Sequence, residues 1–241
     1  MGMAGALGIT VALAGIMAGF FGISRLLGRG MKARVAQLEH LEPPPLDESL
    51  DVTLLPLVYF QQWGGYGNAA KYELRDVAVS EVRGRRLLTC TFRAGLKRAG
   101  GGYGRGSDAP AHVAVTEVPR DWGHLVVVTG AIAPQWRAYL GAPLGLGLDR
   151  FERRNTIFGD EAFARSVLTP AFTEWWATMP LDQMLEINRG VAVARLTLPP
   201  GMGDRPAHVG RFLIQAIERM EAERQAEAGR SRDSPGRGQP R

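Results

Sequence analysis

The sequence predicts an α+β fold with an N-terminal transmembrane helix, an antiparallel sheet with helices packed on one face, and a long C-terminal amphipathic helix. Three observations predict this class. Residues 2–24 are apolar and uncharged, short segments of alternating apolar residues lie between 72 and 129, and helical patterns follow residue 160. Strand pairs followed by helices favour an antiparallel sheet covered by those helices.

The apolar run at residues 2–24 is long enough for an anchor, because as a helix it reaches roughly 35 Å and a bilayer core is about 30 Å thick. No Lys or Arg precedes the run, and four cations follow it: Arg25, Arg29, Lys32 and Arg34. Segments rich in Lys and Arg stay on the cytoplasmic side. We therefore expect a single-pass cell-membrane protein with a transmembrane anchor at 1–27 and a cytoplasmic folded domain.

Two alternatives to an anchor stay open, namely a cleaved signal peptide and a buried terminal helix. A secretory signal has a basic start, a shorter apolar core and a small-residue cleavage site, and the run has none of these. The chain contains one cysteine, Cys90, which builds no disulfide framework and so agrees with a cytoplasmic domain. The anchor is the favoured interpretation.

Small residues form a stripe along the predicted anchor. On a helical wheel Gly8, Gly15, Gly19 and Gly22 lie on one face, and the spacing of Gly15 and Gly19 lets two helix backbones approach closely in lipid. This pattern predicts a homodimer or a membrane-protein partner held through the anchor. A chain rich in Gly and Ala also produces such stripes by composition alone. Composition is the favoured explanation, and the pairing interpretation stays open beside it.

The remaining chain divides into three parts. Residues 28–50 are predicted as a juxtamembrane helix and a Pro-rich linker, because the prolines at 43–45 cannot stay helical and favour a stiff spacer. Residues 51–228 are predicted as the α+β domain. Residues 229–241 contain no apolar side chain to bury and are predicted as a disordered tail.

The charge of the chain does not indicate a nucleic-acid partner. The net charge is +5, but residues 229–241 contain four arginines against one aspartate. Most of the positive excess therefore lies outside the domain, and we expect no specific nucleic-acid surface. The expected partners are the lipid bilayer and another membrane helix.

Alternating apolar and polar residues predict the strands. They are expected at Tyr72–Val79, Leu88–Phe92, His112–Val118, Leu125–Thr129, near Arg150–Phe158, at Met184–Ile187 and at Val191–Leu198. The turn at 82–86 predicts that the first two pair, and Pro119–Gly123 is expected to join the third and fourth as a second pair. Asn188–Gly190 predicts a hairpin between the last two.

Three helices are predicted in the second half of the domain. Asp160 is a suitable N-cap for the first, and Thr169–Pro170 ends it and starts the second. The third is expected to begin after Asp204. Its apolar residues recur at helical spacing: Val209, Phe212, Leu213, Ala216, Ile217 and Met220.

No catalytic, cofactor or metal site is predicted. The glycine-rich loop at 99–107 matches neither the phosphate-binding nor the dinucleotide-binding spacing. The four histidines, at 40, 112, 124 and 208, are too far apart in sequence to show a ligand pattern. Cys90 alternates with Leu88 and Phe92, which favours a buried apolar position over a nucleophile.

Two aromatic pairs are the candidate interaction residues. Trp63 and Tyr66 lie among glycines in the segment 61–68, where such residues can stack on a ligand, insert at a membrane interface or pin a loop onto the core. Trp175 and Trp176 are adjacent in a predicted helix, so both cannot face the same core direction. One is expected to pack inward, and the other to cover a neighbouring loop or a partner surface.

The segment from Phe151 to Pro170 contains a D-x-x-F-A-x-x-x-L-x-P helix from Asp160 onward, followed by Trp175 and Trp176. In this wording and in its layout the chain resembles a group of uncharacterised single-pass membrane proteins of high-GC Gram-positive bacteria. That resemblance implies an anchor with an α+β cytoplasmic module, and it implies no activity.

Three functions are compatible with these observations. The first is a membrane-anchored interaction or scaffold module without catalytic activity. The second is a ligand- or lipid-headgroup-sensing module, in which the segment from Trp63 to Asn68 closes over its ligand. The third, an enzyme acting near the membrane, is the least favoured, because no catalytic motif is found in the chain.

Overall fold

The structure, a computed structural model, describes residues 26, 28–38, 41–64, 70–96, 111–130, 134–179, 182–197 and 205–232. The helices in these ranges are α1 (28–38), α2 (Val58–Gly64), α3 (Pro134–Leu140), α4 (Asp149–Glu152), α5 (Glu161–Val167), α6 (Pro170–Ala177) and α7 (Arg205–Arg232). The strands are β1 (Ala70–Val82), β2 (Arg85–Leu96), β3 (Ala111–Glu117), β4 (Leu125–Thr129), β5 (Asn155–Gly159), β6 (Gln183–Asn188) and β7 (Val191–Leu196). A 3-10 turn occupies Val52–Leu54.

The predicted α+β class, with an antiparallel sheet and a long C-terminal helix, is confirmed. Within the described ranges the strands form one antiparallel sheet in the order β1-β2-β3-β7-β6-β4-β5. The long C-terminal helix α7 lies across β2, β3 and β7. At Gly210 it comes so close that a Cβ there would lie 2.8 Å from Leu87 Cδ2.

The predicted pairing of the third and fourth strands is wrong. β3 pairs with β2 and β7, whereas β4 pairs with β5 and β6. Both strands bury four consecutive residues and so are covered on both faces, as strands in the middle of a layered domain are. In the hairpin β6–β7, β7 pairs with β3 and β6 pairs with β4, so the hairpin separates the two strands.

Helices pack on both faces of the sheet, so the prediction of helices on one face is also wrong. Along β2, Leu87 faces the core under α5, α6 and α7, while Leu88 faces a second core under α1, α2 and α3. The side chains of the other central strands alternate in the same way. The sheet is therefore the middle layer of the domain.

The N-terminal segment 28–50 is part of the second core. Met31, Val35 and Leu38 are buried along one side of α1, and Leu46 and Leu50 are buried after the prolines. The spacing of the first three is that of an amphipathic helix, which requires a surface to cover. The predicted spacer therefore packs on the sheet, and the packed domain begins before residue 51.

Other helix and strand boundaries differ by a few residues from the predicted ones. The strand predicted near Arg150–Phe158 begins at Asn155, because α4 occupies Asp149–Glu152 and its Glu152 carboxylate accepts backbone N–H bonds from Leu146 and Leu148 at 2.7 and 3.1 Å. Helix α7 continues to Arg232, four residues into the segment predicted as tail. The Asp204 cap lies outside the described residues.

Local turn and cap predictions are confirmed. Asp160 accepts hydrogen bonds from the backbone N–H groups of Ala162 and Phe163 at 3.0 and 3.2 Å, as an N-cap does. The β1–β2 turn is made by Arg83 and Gly84, both at positive φ, and the β6–β7 turn by Arg189 and Gly190 in the same way. Positive φ at both central residues is typical of the hairpin turn that matches strand twist.

The predicted anchor at 1–27 and its stripe of Gly8, Gly15, Gly19 and Gly22 lie outside the described residues, except for Leu26. Among the helices that the structure describes, none combines the length and apolar character needed to cross a membrane.

Candidate functional site

The start of the domain presents a surface with basic and apolar side chains. Leu26 is 66 % exposed, and Arg29 and Lys32 are exposed on α1. Gly28 is buried against α3, where an added Cβ would lie 2.5 Å from Ala138 Cβ. The first turn of α1 is therefore fixed to the domain while its outer side chains remain accessible.

A buried carboxylate holds the next helix. The Glu186 side chain is fully buried on β6, and its two oxygens accept hydrogen bonds from the backbone N–H groups of Val58 and Tyr59 at 2.6 and 2.9 Å. These donors begin α2, where N–H groups have no partner within the helix and the helix dipole favours negative charge. His124 Nε2 lies 3.8 Å from Glu186 Oε1.

Two buried amides complete the attachment of this segment. Gln61 Nε2 donates to the carbonyls of Thr53 and Leu55, each at 2.8 Å. Asn188 Nδ2 donates to the carbonyl of Pro56 at 2.8 Å. The chain before α2 is thus tied both to the helix itself and to the β6–β7 hairpin.

The first predicted aromatic pair is described only in part. The backbone of Trp63 belongs to α2, but its side chain and the whole of Tyr66 lie outside the described residues. The first turn of α2, which precedes this pair, is packed in the core. Tyr59 and Phe60 are buried there, and each ring lies 5.7 Å from the Phe92 ring between centroids.

The second aromatic pair separates into an inner and an outer residue. Trp176 is 1 % exposed, and its Nε1 donates to Asn155 Oδ1 at 3.0 Å. Trp175 is half-buried and stacks on Phe212 of α7 at 5.7 Å, with the Arg219 guanidinium 5.0 Å from its ring centroid. Trp176 is therefore a core residue, and Trp175 covers α7.

The cysteine thiol is withdrawn from solvent. Cys90 is fully buried, and burial raises the pKa of its thiol to about 12, so the nucleophilic thiolate is suppressed. In the described ranges no group of three or more His, Cys, Asp or Glu side chains could hold a metal ion.

A polar cluster on β1, β2 and β3 was not predicted. Thr91 Oγ1 donates to Asp76 Oδ2 at 3.0 Å and lies 3.4 Å from His112 Nδ1. The cluster depends on the Thr91–His112 cross-strand register and on a bulge that places Asp76 at φ +53°. Both features depend on how distant segments pair, which local sequence patterns do not specify. Thr91 is 6 % exposed, so its hydroxyl is not presented to a substrate.

Comparisons with known proteins give little further information. No protein-family model matches the chain, and no curated protein matches it. Among solved structures the chain is similar to the crystal structure of the mycobacterial trehalose monomycolate transport factor A, TtfA. The likeness has a TM-score of 0.34 and 12 % identity, and covers 82 % of this chain and 91 % of that one. At that score it carries no argument about function.

Proposed function

We propose that this chain is a single-pass, membrane-anchored interaction or scaffold module without catalytic activity, whose α+β domain is held directly against the cytoplasmic face. It would belong to the bacterial single-pass group that its sequence resembles. The observation that carries the proposal is the packing of α1, because Met31 and Val35 are buried against the domain only a few residues after the apolar run.

The distance between the run and the domain is short. Residues 25–27 separate the apolar run from α1, and three residues span at most about 11 Å. If residues 2–24 cross a bilayer, α1 begins at the membrane surface. Exposed Leu26, Arg29 and Lys32 suit that position, since apolar side chains enter the interface and cations meet anionic headgroups.

A packed α1 gives such a domain a fixed orientation. A flexible spacer would let the domain rotate, whereas α1, α2 and the sheet are joined by buried contacts and by the Glu186 hydrogen bonds. A partner that contacts both the anchor and the domain then binds at two linked sites. Its binding at the first site raises its effective concentration at the second. This is a physical basis for a scaffold role.

Crosslinking in cells tests the assembly role. With a C-terminal tag on the full chain, we expect a self-crosslink or one recurrent membrane partner after solubilisation. Replacing Gly15 and Gly19 by Ile should weaken that crosslink, because the larger side chains separate the helix backbones. Leu13→Ile, on another face of the anchor, is the matched control. An unchanged crosslinking pattern in the glycine variant would remove the anchor from the assembly role.

A second candidate function, ligand or lipid-headgroup sensing, is favoured by a cavity of about 330 Å³ beside Trp176. The residues that line it come from β4, α4, β5, α6 and β6 and from the turns after α4 and α6, whereas the sequence had indicated the segment 63–68 for that role.

A further inference from the structure

Charge is divided into two blocks along the chain that leads into the domain. Four cations lie between residues 25 and 34, and no Asp or Glu precedes them. Five acids lie between residues 39 and 51, and no Lys or Arg occurs from residue 35 to residue 70. Exposed helices that face only solvent commonly alternate the two signs. The separation therefore points to a partner that carries charge of one sign.

The two blocks lie toward opposite ends of the strands. Gly28 packs against Ala138 of α3, the helix that follows the end of β4, whereas Glu42 pairs at 3.2 Å with Arg120 in the turn after β3. Because β3, β7, β6 and β4 are successive antiparallel neighbours, β3 and β4 run in opposite directions and end at opposite ends of the sheet. Helix α1 therefore leads from the cationic block at one end toward the acidic block at the other.

The end of the sheet near α3 presents three cations and a leucine. Arg29 and Lys32 are exposed on α1, and Arg137, next to the residue that Gly28 contacts, is exposed on α3. These three residues form the cationic end. Leu26 precedes α1 at the same end and is 66 % exposed. A basic surface with an exposed apolar side chain is typical of proteins that bind an anionic lipid surface.

The acids lie away from the cationic end. Arg34, the last cation of α1, is partly buried and interacts with Asp51. Glu42 and Glu48 are exposed beyond α1, whose residues 28–38 span about 16 Å as a helix. That length is about twice the Debye length of roughly 8 Å at physiological ionic strength. A negatively charged surface that touches the cationic end therefore hardly repels these acids, whereas one laid along the whole of α1 would meet both blocks.

We propose that the cationic end binds anionic phospholipids of the bilayer surface, with Leu26 in the interface and α1 directed away from the membrane. This inference rests on the proposed function, because the apolar run is what brings α1 to the bilayer. It adds the class of lipid that the domain recognises and the end of the sheet that faces the membrane. Each Lys or Arg near an anionic surface favours binding by about fivefold, so anionic lipid is expected to be enriched around this end.

Fluorescence quenching tests the proposal on the full chain in vesicles of phosphatidylcholine with phosphatidylglycerol, where the quencher is carried on one lipid or on the other. A fluorophore at Gly30→Cys reports on the cationic end, because Gly30 is exposed and a Cβ there has open space around it. Cys90 is buried and stays unlabelled. We expect the quencher on phosphatidylglycerol to act about fivefold more strongly than the quencher on phosphatidylcholine, and high salt to reduce the difference.

Arg137 provides the decisive variant, because it is far from the apolar run in sequence and reaches this end only through the packing of α3 on α1. Arg137→Gln should lower the preference for the quencher on phosphatidylglycerol by a factor of about two to five, and replacing Arg29 and Lys32 by Gln as well should lower it further. Arg120→Gln, at an exposed arginine of the opposite end, is the matched control and should leave the preference unchanged. Equal effects of the Arg137 and Arg120 variants would contradict the assignment.

A second fluorophore at Glu48→Cys tests the orientation and should be quenched weakly by either lipid. Equal quenching at positions 30 and 48 would overturn the orientation. Equal action of the two quenchers at position 30 would overturn the lipid preference and leave the membrane contact of the proposed function standing, whereas no quenching at position 30 would remove both. A crosslink from position 30 to an acidic protein in cells, together with equal action of the two quenchers, would assign the cationic end to that protein instead.

Discussion

The buried carboxylate of Glu186 accepts a hydrogen bond from the backbone N–H of Val58 at 2.6 Å, across 128 residues of sequence. The same carboxylate also accepts from Tyr59. This contact joins a central strand to the first turn of α2 and so fixes the N-terminal half of the second core.

Replacing Glu186 by Gln should destabilise the fold by about 2–3 kcal/mol, because one carboxylate oxygen becomes an NH₂ group that faces backbone donors. The measurement is the midpoint of urea unfolding. Glu48→Gln, at an exposed acid before the 3-10 turn, is the control and should leave the midpoint unchanged. Equal midpoints for the two variants would show that the Glu186 contact does not hold α2.

The packing of the segment 28–50 predicts a difference between two leucines. Leu46 is 1 % exposed and Leu41 is 61 % exposed, and both follow α1. Leu46→Ala should cost about 2–4 kcal/mol of unfolding free energy, because it opens a cavity under the sheet, and Leu41→Ala should cost little. If this segment were a free spacer, the two substitutions would have the same small effect on the unfolding midpoint.

Cys90 is expected to be inert in the folded chain, since it is fully buried and burial raises the pKa of its thiol to about 12. A thiol reagent at neutral pH should label no site in the native protein and one site per chain in denaturant. Lys32→Cys, on the exposed side of α1, should be labelled at once under the same native conditions. Rapid labelling of native Cys90 would reopen the nucleophile interpretation.

The stability of the domain should fall below about pH 6.5. Burial, with a smaller contribution from Arg205, lowers the pKa of His112 from 6.5 in the folded state. Between the two pKa values the unfolded chain binds more protons, so the free energy of unfolding rises with pH. The contribution of His112 to the free energy of unfolding is complete above its unfolded-state pKa and decreases as the pH falls toward its folded-state pKa.

Urea unfolding of the wild type and of His112→Gln, between about pH 7.5 and 5.5, checks this expectation. The substitution should reduce the slope of stability against pH. An identical slope in the two proteins would remove His112 as its source.

Local features of the fold could be predicted from the sequence, because their causes lie within a few residues. Asp160 caps α5 through Ala162 and Phe163, and Gly84 and Gly190 allow tight hairpin turns. The buried stripe of α7 could be predicted for the same reason, because its apolar residues recur at helical spacing.

Features that depend on distant residues could not be predicted. The insertion of β6–β7 between β3 and β4 depends on which strands pair with each other. The alternation of apolar residues within a strand does not specify its partners. The cavity beside Trp176 likewise brings together side chains from three separate strands, namely Thr129 of β4, Asn155 of β5 and Gln183 of β6. The stripe of Met31, Val35 and Leu38 was present in the sequence, but the prolines after it favoured a spacer.

The central claim is that the domain is held at the membrane through α1. The most direct measurement compares two single fluorophores on the full chain in vesicles that contain a lipid-bound quencher. One is attached at Lys32→Cys on α1, and the other at Gln215→Cys on the exposed side of α7, across the sheet. We predict strong quenching at position 32 and much weaker quenching at position 215. Equal quenching at both positions, or none at either, would contradict the claim.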